Sequence, residues 1–186
     1  KVNLSLRVIK KLKTEYHQIQ SLVTLCKIYD LIYINEISKK KDEIKFIGKF
    51  KNNIYSKSNT IIDTLKLLRK NGKLTSIFFK IVIKKNIPHG SGLGSSSSNA
   101  ASLLNFLNKK YNLYLNNKKI HKIGTNIGSD VPLFFNLKNS FITRKNKIFH
   151  FDKKFNLNLL IIYPNIICST KKIFAKNKNF SNFSSL

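Results

Sequence analysis

Methionine and tryptophan are absent from this 186-residue chain, arginine occurs three times, and acidic residues number only eight. The chain opens on Lys1 without an initiator methionine. The expectation is therefore that the natural N-terminus lies upstream, which leaves room there for a targeting segment, a plastid-directed one included. Cysteine is nearly absent too. Cys26 and Cys168 stand far apart without CxxC spacing, which excludes a zinc framework and a disulfide scaffold. They read as two small apolar residues of a reducing compartment. No apolar run approaches the roughly 18 residues of a membrane span, and no stretch has the layout of a signal peptide. The expected setting is a bacterial cytoplasm, with no membrane partner.

Cations are in large excess. The formal charge is +27, from 35 Lys and Arg against eight Asp and Glu. Such a balance ordinarily points to nucleic acid, because clustered cations displace counterions from phosphate. Here all but Arg7, Arg69 and Arg144 are lysine, whereas arginine is the residue that reads guanine or grips phosphate with two hydrogen bonds. The lysines are dispersed, without an arm or stripe. Lys, Asn, Ile and Phe, all abundant, share AT-rich codons. Compositional drift in an AT-rich genome therefore accounts for the charge, and no specific nucleic-acid partner is expected. A basic RNA-binding α+β protein stays open as the alternative. The hydrophobic fraction, 42%, suits a globular core of one domain, or of one domain and the start of another.

Periodicity places the elements. Val2 to Val8 alternates as a strand, as do Ile19 to Leu25 and Leu31 to Ile37, with a shorter strand within Glu43 to Phe50. From Asn59 the period becomes helical, with Ile62, Leu65 and Leu68 on one face and Asn71-Gly72 as the stop. Ile77 to Ile83 is a strand. After a glycine-rich loop, Ala100, Leu103, Leu104, Leu107 and Tyr111 form a helical stripe. Asn116 to Gly124 reads as a helix closed by Gly124, Ser140 to Phe151 as a hairpin, Leu157 to Tyr163 as a buried strand, and Thr170 to Lys176 as a short helix. There is no internal repeat. Antiparallel-looking strands with a few helices predict an α+β fold.

The loop is the most informative stretch. Pro88-His89-Gly90-Ser91-Gly92-Leu93-Gly94-Ser95-Ser96-Ser97-Ser98 follows a strand, precedes a helix, and holds three of the seven glycines. Glycine lets backbone N–H groups turn inward and lets phosphate approach. The helix beginning near Ser96 adds its dipole and free N–H groups, and a serine hydroxyl, Ser95 for one, can reach a metal. A flexible turn capping a helix would use similar residues, but the strand–loop–helix setting favours phosphate. The spacing is neither that of a Walker loop nor that of a dinucleotide-binding fingerprint. His89, His121 and His150 have no partner spacing and read as ordinary.

Pro88, Gly92-Leu93-Gly94-Ser95-Ser96 and the alanines Ala100-Ala101 resemble the central motif of the GHMP kinase superfamily. Ser97-Ser98-Asn99-Ala100-Ala101, Gly128-Ser129-Asp130-Val131-Pro132, Lys1-Val2-Asn3-Leu4 and Tyr16-His17 resemble its isoprenoid-pathway branch, over nearly the whole chain. The resemblance implies a GHMP-kinase N-terminal domain of the ribosomal-protein-S5-domain-2-like type over 1–150. It further implies the start of a C-terminal α+β substrate domain over 151–186. The implied reaction is ATP-dependent phosphorylation, with Mg²⁺, of the tertiary 2-hydroxyl on a cytidine-diphosphate-linked methylerythritol, by a monomer or weak homodimer. Asp130 would be the general base and Lys1 its cationic partner. Residues Pro88 to Ser98 would bind ATP phosphate, with Asn59 and Lys85 near adenine, and Asn3, Tyr16, His17 and Phe174 would bind the substrate. Glu15, Ser95 and Ser96 stand where the family often has glycine. No second loop of Gly-Thr/Ser-Gly type follows Phe135, so the chain is expected to be a fragment lacking its C-terminal part. Homoserine or mevalonate kinases of the same superfamily, and a decayed pseudokinase, are the neighbouring alternatives.

Overall fold

The computed structural model describes residues 1–12, 17–52, 54, 58–143, 147–153, 155–164, 166 and 170–182. In chain order the elements are β1 (Val2–Lys11), β2 (His17–Thr24), β3 (Leu31–Ile37), β4 (Glu43–Ile47), α1 (Thr60–Lys70), β5 (Phe78–Lys84), α2 (Ser95–Lys110), α3 (Asn117–Ile127), a 3₁₀ turn (Val131–Phe134), β6 (Asn139–Ile142), β7 (Ile148–Phe151) and α4 (Thr170–Ala175). The mixture is α+β. It divides into two compact units interleaved along the chain. One comprises Lys1–Lys27, Gly90–Leu93 and Asn136–Leu186, the other Ile28–His89 and Gly94–Phe135.

The first unit is built on a four-stranded antiparallel sheet of order β1-β2-β6-β7. In β2, Gln18 and Gln20 on one face and Ser21 and Val23 on the other are all buried. The expected hairpin is β6–β7, with Asn139 opposite Phe151 and Ile142 opposite Ile148. The segment Leu157–Tyr163 departs from expectation. It forms no strand, and Leu160 and Ile162 are more than four-fifths exposed. An apolar run becomes a buried strand only where a sheet edge accepts its backbone, and none pairs with it among the described residues.

The second unit places α1, α2 and α3 on one face of the sheet β3-β5-β4. β5 is central, antiparallel to β3 and parallel to β4, and α1 makes the crossover between the parallel pair. A parallel pair needs such a crossover because a tight turn cannot reverse the chain twice. Phe79, Ile81 and Ile83 on one face of β5 are fully buried against Leu65 and Leu68 of α1 and Leu103, Leu104 and Leu107 of α2. Each contributes about 1.5–3 kcal/mol by leaving water. Helix α1 has the boundaries its sequence predicts. The Asn59 side chain accepts from the N–H groups of Ile61 and Ile62, and the chain reverses at Asn71-Gly72. Helix α3 runs on through Gly124 to Ile127, so Gly124 is not its stop. It is a contact point, because a Cβ there would stand 2.6 Å from the Phe135 ring and 3.2 Å from Val131. Away from the glycine loop, Arg69 holds Asp42 with two hydrogen bonds of 2.6 and 2.9 Å and also bonds the carbonyls of Leu74 and Ile77.

Candidate active site

In the second unit, the C-terminal end of β5, the start of α1, the start of α2 and the turn before the 3₁₀ segment come together. Gly90, Gly92 and Gly94 all have positive φ, between 71° and 75°. Gly94 is the N-cap of α2, and no side chain caps that helix, whereas Asn59 and Asn116 cap α1 and α3. A helix start without a side-chain cap leaves first-turn N–H groups for another acceptor, and the dipole favours an anion there. The first turn of α2 is also tied to α1, since the Thr60 hydroxyl donates to the Ser96 carbonyl at 3.0 Å. Asn59, expected near adenine, thus stands beside the start of α2.

Asp130 lies in the turn that leaves α3. Val131 N–H bonds the Gly128 carbonyl and Leu133 N–H bonds that of Asp130, at 3.0 and 3.2 Å. The residue is half-buried. This turn rests against the start of α2, because a Cβ added to Gly128 would stand 4.0 Å from the Ser97 hydroxyl. The turn carrying the acid and the start of α2, separate in sequence, are therefore neighbours within the second unit.

Lys85 is not exposed at a pocket rim. Its ammonium is buried and paired with Asp30, and it also donates to the Ser95 hydroxyl. Ser95 in turn donates to Asp30 at 2.6 Å. The hydroxyl put forward for a metal is thus engaged inside the protein, while Ser96, Ser97 and Ser98 are only half-buried. Burial lowers the pKa of the Lys85 ammonium, and Asp30 opposes that shift. Burial would raise the Asp30 carboxyl, but hydrogen bonds from Lys85, Ser95 and Asn99 outweigh it and leave the pKa below the usual carboxylate value. His89 has its pKa lowered by burial and, next, by the Lys85 charge. Asp30 went unnoticed in the sequence. The available signal was an acid, one of eight, set between Ile28-Tyr29 and Leu31-Ile32.

The first unit holds the other candidates. The backbone nitrogen of Lys1 donates to the Leu93 carbonyl at 2.9 Å, and its side-chain ammonium donates to Asn3 Oδ1 at 2.6 Å. Asn3 passes its amide to the Ser21 hydroxyl, which donates to the Ser5 carbonyl. That chain of donors fixes the Asn3 amide with its oxygen toward Lys1. His17 and Phe174 stack with ring centroids 5.3 Å apart and planes 27° apart. Two of the four residues expected to bind the substrate are therefore adjacent; another, Tyr16, lies outside the described residues. Among the described residues, no helix is long and apolar enough to cross a membrane.

Residues 59–136 match the family model described as the GHMP kinases N terminal domain. The chain is 39% identical over 181 residues to a protein of Pelagibacter ubique named 4-diphosphocytidyl-2-C-methyl-D-erythritol kinase, covering 97% of this chain and 64% of that one. Proteins of the same name from Sulfurihydrogenibium sp. and Wigglesworthia glossinidia brevipalpis are 35% and 39% identical. Each match covers 95% of this chain, and 62% and 58% of the relative. The chain thus spans about three-fifths of the length of these curated relatives. Among solved structures, a 4-(cytidine 5'-diphospho)-2C-methyl-D-erythritol kinase superposes with a TM-score of 0.59 at 25% identity, over 75% of this chain and 48% of that one. A homoserine kinase from Cytophaga hutchinsonii superposes at 0.58 with 14% identity, over 95% and 60%, which speaks to fold alone. The glycine loop, the capped α1 and the Asp130 turn all lie inside the stretch, residues 59–136, that matches the GHMP kinases N terminal domain.

Proposed function

We propose that the protein transfers the γ-phosphoryl group of ATP to the 2-hydroxyl of 4-diphosphocytidyl-2-C-methyl-D-erythritol. The observation that carries the reading is the packing of the Gly128 turn, which leads into Asp130, against the start of α2, a helix start that no side chain caps. The names of the curated relatives supply the substrate. In this reading the N–H groups between Pro88 and Ser98 and the α2 dipole hold the β- and γ-phosphates. The hydroxyl oxygen forms the new bond to phosphorus, the bond from the γ-phosphorus to the bridging oxygen breaks, and ADP leaves. Asp130 accepts the hydroxyl proton, and the Lys1 ammonium, its rotation restricted by Asn3, stabilises charge on the transferring group. His17 and Phe174 hold the cytosine by stacking. The described residues contain no cluster of three or more His, Cys, Asp or Glu arranged for a metal. Hydroxyls at the start of α2 would hold a phosphate-bound Mg²⁺, which would supply neutralisation of charge on the transferred group.

The test is a coupled assay for ADP release with ATP and the cytidyl substrate, with homoserine and mevalonate as rival acceptors. The cytidyl substrate should be preferred, and Asp130→Asn should lower turnover by about 10²–10⁴-fold. Full turnover by Asp130→Asn, or preference for a rival acceptor, removes the reading.

A further inference from the structure

Seven residues, 88–94, separate the incoming stem of the glycine loop from α2, and both stems are bound by a single carboxylate. On the incoming side, the backbone N–H groups of Asn86 and Ile87 donate to Asp30 Oδ1 at 2.8 and 3.0 Å. On the outgoing side, the Ser95 hydroxyl and the Asn99 amide donate to Oδ2 at 2.6 and 2.9 Å. The Lys85 ammonium, also from the incoming stem, pairs with that same oxygen. Five donors converge on one group whose side chain is 0% exposed, and the Lys85 side chain is 3% exposed.

We propose that Asp30 is a positioning residue for nucleotide binding, holding the two ends of the glycine loop at a fixed separation; this rests on the kinase reading above. A loop pinned at both ends loses less freedom when it orders around a ligand, so more of the contact energy appears as affinity. Asp30 touches no substrate in this account. It acts through Lys85, Ser95 and Asn99, which set where the first turn of α2 begins and hence where its N–H groups lie. A carboxylate is required because both oxygens must accept. An asparagine has one acceptor oxygen and would turn an NH₂ group toward donors. The companion cation accounts for how such a charge is tolerated in the interior, since an unpaired buried carboxylate would be costly.

The second ion pair of the same unit provides the control. Asp42 also accepts from Arg69 and from the Phe79 N–H, and neither of these belongs to the glycine loop. Asp30→Asn, the charge-free double variant Asp30→Asn with Lys85→Met, and Asp42→Asn are each titrated with ADP by calorimetry. Unfolding in urea and hydrogen exchange of the amides at 89–94 are measured on the same samples. The double variant guards against failure of the single one to fold, because it leaves no buried lysine unpaired. The expected result is an affinity loss on the order of tenfold or more for the Asp30 variants, with faster exchange confined to 89–94. Asp42→Asn should lose stability while its folded fraction keeps the wild-type affinity. If wild type binds ADP and the folded Asp30 variants bind it equally well, or if affinity falls with stability alike in all three, the proposal is overturned. If wild type binds no adenine nucleotide, the kinase reading itself fails.

Discussion

Gly48→Ala should destabilise the second unit far more than the same change at Gly72. The two glycines allow a conformational cost to be separated from a contact cost. Gly48 has φ +92°, and a Cβ there would stand 2.8 Å from the Lys85 carbonyl oxygen, 3.1 Å from its nitrogen and 3.3 Å from the Lys84 side chain. Gly72 has φ +70° and a Cβ there would meet nothing within 4 Å. A non-glycine residue in such a conformation costs about 1–3 kcal/mol, and alanine returns about 0.4–1 kcal/mol by restricting the unfolded chain. Those two effects act at both sites. Only at position 48 must main chain also move, because Lys85 N–H is bonded to Ile47 and the Lys85 carbonyl to Phe50 N–H. Overpacking of that kind adds about 1–3 kcal/mol. The expected loss is about 2–4 kcal/mol for Gly48→Ala and about 1 kcal/mol for Gly72→Ala. Urea denaturation read by far-ultraviolet circular dichroism measures both. Equal losses would mean that the Lys85 backbone yields freely, and the contact argument would be refuted.

Gly92→Ala should separate folding from binding. Its Cβ would meet no protein atom, and φ is +74°. The fold should therefore lose only about 1–2 kcal/mol, while ATP affinity falls by more than tenfold as the methyl group blocks phosphate; calorimetry showing unchanged affinity would remove the loop from the site. Histidine 89 should make stability depend on pH. Its folded pKa lies below that of the unfolded chain, so the unfolded state binds the proton first, and stability is lost as pH falls from about 6.5 through the folded value. His89→Gln should flatten the urea midpoint over that window, and an unaltered slope would exclude the imidazole as its source. The +27 charge should bring weak, sequence-blind RNA binding that disappears near physiological salt; tight binding surviving there in a filter assay would favour the RNA-binding alternative.

Much of the secondary structure was legible because its causes are local. Asn59 and Asn71-Gly72 bound α1 through hydrogen bonds and turn conformations within a few residues, and the β-branched alternation of β5 determines which of its side chains face the helices. The glycine loop was visible for the same reason, as glycines in a short strand-to-helix connection carry their meaning locally. Asp130 stood out through its immediate neighbours. Tertiary structure alone decided what lies opposite each of these. Asp30 meets Lys85, Ser95 and Asn99 across 55, 65 and 69 positions, a separation at which no periodicity operates. Gly124 reads as a helix stop, yet it serves as a contact point for Phe135 and Val131 on α3, and only packing chooses between those roles. Leu157–Tyr163 has the composition of a buried strand, but burial belongs to a pair of surfaces, and one strand's sequence does not supply the other. Local chemistry thus sets the elements and the loop, whereas the long-range fold sets which charge is buried, which hydroxyl is already engaged and which acid stands beside the helix start.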